Sequence, residues 1–156
     1  MSRATAWFVH AAAFLAGGTG LVYGWMRYCL EPADEFAVVN HPAQPLVQAL
    51  HLWTVPLLVF GGGLLWREHV WRRVRTGYPR RRRSGLVLFA LFFPMVLSGA
   101  VVQTADGDLV RNVAILVHAG SGTLWFLAYA AHFVLQLRRG STGPSDESTA
   151  ESSLST

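Results

Sequence analysis

Apolar residues gather into four long runs, at 4–28, 46–66, 85–103 and 110–137. Each lies near or past the roughly 20 residues that cross a bilayer as a helix. Polar stretches separate them at 29–45, 67–84 and 104–111. Only helices and closed barrels satisfy the backbone inside hydrocarbon, and runs of this length fit helices. The pattern predicts an all-α fold, an integral membrane four-helix bundle. Its helices are expected at about 4–28, 46–68, 84–103 and 110–137, within one domain over 1–139. Pro32, Pro42 and Pro45 are expected to hold the first loop open and stop the helices on either side. The tail, 140–156, is Ser- and Thr-rich with almost nothing apolar, and is expected to be disordered. No internal repeat is evident, and the spans leave no room for a separate soluble catalytic domain. The first run could pass for a secretory signal. Its length, with His10, Arg27 and two tryptophans inside it, favours a retained helix.

Charge adds an orientation. All thirteen basic residues are arginine, and eight of them lie between Arg67 and Arg83. Arg3 precedes the first span, while Arg138 and Arg139 follow the fourth. The other two loops carry Glu31, Asp34, Glu35, Asp106 and Asp108 against Arg27 and Arg111. The positive-inside rule then places both termini and the Arg-rich loop in the cytoplasm. A basic run between two spans reads as a topology signal and a contact for anionic lipid rather than for nucleic acid. Cys29 is the single cysteine, so there is neither an intrachain disulfide nor a CxxCH motif for covalent haem.

Six histidines remain, four of them inside spans. His118 and His132 are fourteen residues apart on the last run. They return to within roughly 40° of one helix face, about 21 Å apart along it. Ionisable side chains in a membrane helix are costly and mark function. His10 lies seven residues inside Arg3 and His132 six inside Arg138, both about 10 Å from the inner edge. His51, six residues past Pro45, and His118, seven past Arg111, sit at similar depth on the outer side. Depth therefore pairs His10 with His132 and His51 with His118. Two opposed imidazoles from different helices can ligate a b-type haem axially. Zinc fits less well, because it takes three or four clustered ligands. His69 is in phase with His51 and reads as an interfacial residue near a propionate or quinone. His41, before Pro42, reads as solvated.

Glycines share the histidine phases. Gly17 lies seven residues after His10, Gly62 eleven after His51 and Gly122 four after His118. Each falls within roughly 40° of its histidine's face. Close helix packing would explain small residues there. Space for something flat and large would explain their phase.

The run that opens with Arg3, six residues and then HAAAFLAGGTGL from His10 resembles the bacterial cytochrome b561 and formate dehydrogenase gamma-subunit superfamily. The fourteen-residue spacing in LVHAGSGTLWFLAYAAH, ending at His132, is similar to that family's last helix. The third span, with LSG ending at Gly99, is similar to its ligand-free helix. The resemblance covers about residues 3 to 138. It implies a cytoplasmic-side haem between the first and fourth helices and an outer haem between the second and fourth. Those are the same pairs, His10 with His132 and His51 with His118. The chain departs from the family in being shorter than typical gamma subunits and in having Ala11 where Trp is usual.

The leading expectation is a dihaem b-type cytochrome, carrying two haem b groups, that moves electrons between a dehydrogenase-type partner subunit and a quinone. Arg3 and Arg138 stand at the right level to pair inner-haem propionates, as Arg67 and Arg111 do at their own levels. Membrane-edge arginines also anchor helices, and the tryptophans read as interface belts and packing. A self-contained b561-type oxidoreductase passing electrons from superoxide to quinone is the first alternative. A haem-free membrane anchor or assembly protein is the second. Expected partners are membrane lipid, a quinone and a redox subunit. Nucleic acid is not expected, and assembly into an oligomer is left open.

Overall fold

The computed structural model describes residues 2–66 and 82–140. It is all-helical, with α1 at Arg3–Tyr28, α2 at Gln44–Leu65, α3 at Arg82–Thr104 and α4 at Asp108–Gly140. All four are long and apolar enough to cross a membrane. His69, Arg67, Trp71 and the tail from residue 141 lie outside the described residues.

Local chemistry fixes the helix ends. Ser2 caps α1, its hydroxyl accepting from the Thr5 N–H at 3.0 Å. Arg27 stands in the last turn, where the helix dipole favours a cation. Pro45 does not stop a helix, as the sequence suggests, but lies in the first turn of α2. Backbone N–H groups are unpaired there in any helix, so proline costs nothing. Asp108 opens α4, and Arg111 bonds the Ala105 carbonyl at 2.6 Å, closing the turn from α3.

The loop between α1 and α2 is clasped by Asn40. Its side-chain amide donates to the carbonyls of Arg27 and Leu30, at 2.9 and 2.8 Å, while its backbone N–H donates to the buried Gln44. His41 is half-buried. Its Nδ1 accepts from the Ala43 N–H at 3.1 Å and its carbonyl from the Gln44 N–H, so it shapes the turn into α2.

Packing divides the bundle into two hairpins, α1 along α2 and α3 along α4, with α1 meeting α4 more sparsely. Gly61 of α2 lies against Val9 of α1, and Trp66, the C-cap of α2, stacks on Phe89 of α3. A small core joins the hairpins through Ala13, Ala16, Leu58, Met95, Trp125 and Tyr129, with Phe92 and Phe126 packed against it. Outward, Trp7, Leu15, Trp53, Phe60, Leu97 and Leu116 are exposed. Apolar surface on every helix is what a lipid solvent requires. The 33 residues of α4 span about 50 Å, so this helix overruns a hydrocarbon layer of roughly 30 Å.

Candidate functional site

His51 of α2 and His118 of α4 face each other across the bundle. Their ring centres are 6.2 Å apart and their planes are inclined by 67°. Each ring is held by the partner helix of its own hairpin, and the two holds match. His51 Nδ1 lies 3.0 Å from the Ala16 carbonyl, and the nearest atom of its ring would be 2.9 Å from a Cβ placed on Gly20. His118 Nδ1 lies 2.8 Å from the Met95 carbonyl, and a Cβ on Gly99 would likewise meet its ring at 2.9 Å. The accepting carbonyl in each case belongs to the residue four before the glycine. A hydroxyl precedes each glycine. Thr19 Oγ1 donates to the Leu15 carbonyl and lies 3.3 Å from His51 Nδ1, while Ser98 Oγ donates to the carbonyls of Pro94 and Met95.

These contacts decide the tautomer. A main-chain carbonyl only accepts, so Nδ1 of both rings carries the proton and Nε2 keeps its lone pair. An imidazole anchored through Nδ1–H to a carbonyl is the usual form of a metal-ligating histidine. Two imidazoles bound to one metal ion through bonds of about 2 Å stand with centres about 6 Å apart. The outer pair matches that separation and carries the right protons. The donor set therefore fits an axially ligated metal group. Among the described residues no three His, Cys, Asp or Glu side chains converge.

The inner level is built differently. His10 Nδ1 shares a 2.5 Å hydrogen bond with the hydroxyl of Tyr129, and its ring packs 4.7 Å from Phe133 and 6.2 Å from Trp7. Tyr129 and Phe133 bracket His132 in α4. The Gln136 side-chain amide lies 2.6 Å from His132 Nε2, and Gln136 is exposed. Arg3 and Arg138, both exposed, stand at the start of α1 and in the last turn of α4. Arg111 is engaged by Ala105 and Asp108, which leaves its guanidinium serving the turn.

Three glycines expected to leave space are already covered. A Cβ on Gly17 would strike Phe126 at 2.1 Å, one on Gly62 would meet Phe92 at 2.9 Å, and one on Gly122 would touch Met95 at 3.6 Å. The glycines that touch the histidines are Gly20 and Gly99. Their signal in the sequence is a small echo, A-x-x-T-G at 16–20 and M-x-x-S-G at 95–99, one on the first helix of each hairpin. No family model, curated protein or solved structure matches the chain.

Proposed function

We propose that the protein is a dihaem b-type cytochrome of the bacterial inner membrane, passing electrons between a redox partner and the quinone pool. The observation that carries this is the outer pair, two diagonal imidazoles 6.2 Å apart with both Nδ1 atoms tied to carbonyls. His51 and His118 would hold the outer haem through Nε2. His10 and His132, at the other end of the same bundle, would hold the inner one. Haem bound at these two levels supplies one-electron carriers, roughly 20 Å apart by helix rise. The protein's own part is to ligate, to keep water out with the core between the levels, and to offer Arg3 and Arg138 to propionates.

Full-length protein produced with haem supplied is expected to show b-type bands in a reduced-minus-oxidised spectrum. His118→Ala and His132→Ala should each remove one haem and leave the other. Absence of b-type bands from the unaltered protein would overturn the reading.

The arginine distribution supports both termini being cytoplasmic, with the 29–45 loop outside. Cys29, the single cysteine, is exposed and tests this. In intact spheroplasts a membrane-impermeant maleimide should label it fully. Labelling only after the membrane is breached would reverse the orientation.

A further inference from the structure

Three of the four span histidines are held through Nδ1, and of these His10 alone is held by a side chain without a main-chain carbonyl. His51 and His118 bond to main-chain carbonyls, whereas His10 bonds to the Tyr129 hydroxyl. A carbonyl is the same acceptor whatever the residue, whereas a phenol can be gained or lost by substitution. We infer that Tyr129 is the positioning residue of the inner haem, fixing the His10 ring and lowering that haem's potential below what it would be without the phenol. This rests on the dihaem reading above.

The geometry suits the role. Tyr129 is buried, and its ring is clamped before it reaches His10. Trp125 stacks on it at 5.2 Å with the planes 9° apart, and Phe14 closes edge-on at 5.8 Å. A held phenol oxygen gives the imidazole one direction to point Nδ1, which sets where Nε2 points. His118, Gly122, Trp125, Tyr129 and His132 follow one another at spacings of four, three, four and three, so they share one face of α4. The clamp therefore lies between the two haem levels on the helix that contributes to both. With Nε2 on iron, Nδ1–H donates to the phenol oxygen. That bond makes the imidazole a stronger donor to iron, which favours the ferric form. Removing it raises the potential.

The test is a redox titration of the full-length haem-loaded protein, with the two haems resolved through His118→Ala and His132→Ala references. Tyr129→Phe keeps the ring that Trp125 and Phe14 clamp and removes only the oxygen. The inner potential should rise, and inner haem should be held about 10-fold less tightly, with the outer haem unchanged. Unaltered protein grown with 3-fluorotyrosine, whose oxygen is a weaker acceptor, should move the inner potential the same way without changing the packing. If both haems are present and neither treatment moves the inner potential, Tyr129 has no such role. If the unaltered protein binds no haem, the dihaem reading falls and takes this inference with it.

Discussion

Gly99→Val is expected to release the proposed outer haem and spare the proposed inner one. A Cβ at Gly99 would lie 2.9 Å from both Cε1 and Nδ1 of His118, closer than real contacts allow. Nδ1 is also the atom bonded to the Met95 carbonyl at 2.8 Å, one turn back on the same helix. Moving the ring off the Cβ therefore breaks the bond that sets the tautomer and aims Nε2. Loss of such an outer-shell contact weakens metal binding by about 10- to 100-fold. Valine should sit at the upper end and alanine, whose single carbon asks for a shift of a few tenths of an ångström, near the lower. Gly20→Val should act in the same way on His51, where the Cβ would lie 2.9 Å from Cε1 and 3.2 Å from Nδ1. Weakened helix formation cannot account for the loss, since valine is still a better helix former than an interior glycine, by a few tenths of a kcal/mol. The measurement is haem content and pyridine haemochrome yield beside helical circular dichroism. A Gly99→Val protein that keeps both haems would show that the glycine is no seat.

The contrast between those glycines and the ones singled out by phase shows where reading the chain stops. Four spans are legible because length and apolarity are one-dimensional properties of each run. The His51–His118 pairing is legible too, since distance from a loop converts to depth at a fixed rise, and depth survives whichever way a helix is rotated. Which glycine seats which ring is not legible in this way. Phase compares residues on one helix, whereas Gly20 and His51 are on different helices and meet only through the register of the hairpin. By phase Gly17 was the partner of His10, yet Phe126 of α4 lies over it. Tyr129 escaped notice for a related reason. In a run that also holds Trp125, Phe126 and Phe133, a tyrosine looks like packing until its hydroxyl is seen at His10. Pro45 is the reverse case. Proline marks a helix boundary, and only the backbone tells whether it stands before the boundary or just inside it.

Gly17→Ala should have the broadest effect of a methyl added at any of the described glycines, because it falls on the sparse seam between the hairpins. A Cβ there would lie 2.1, 2.5 and 2.8 Å from Cδ2, Cε2 and Cγ of Phe126. The overlap reaches Cγ, the root of the ring, so a rotation about the ring axis does not relieve it. Phe126 cannot swing freely either, since Phe14 of α1 meets it edge-on at 5.9 Å. The strain must be taken by α1 and α4 moving apart. Overpacking of this kind costs about 1–3 kcal/mol, against the roughly 1 kcal/mol that alanine returns to the helix, so the net cost runs up to about 2 kcal/mol. More important is what separates. His10 and His51 stand on one hairpin, His118 and His132 on the other, so each proposed haem bridges the seam. Gly17→Ala should therefore lower the content of both haems together, whereas Gly99→Val removes only one. Phe126→Leu, which shortens and narrows the opposing side chain, should restore haem content to Gly17→Ala. A double-mutant cycle on unfolding in detergent should show coupling of about 0.5–3 kcal/mol, with the double variant more stable than the sum of the singles. Additive effects in that cycle, or an equal loss of haem with and without Phe126→Leu, would mean that Gly17 and Phe126 do not set the spacing of the hairpins.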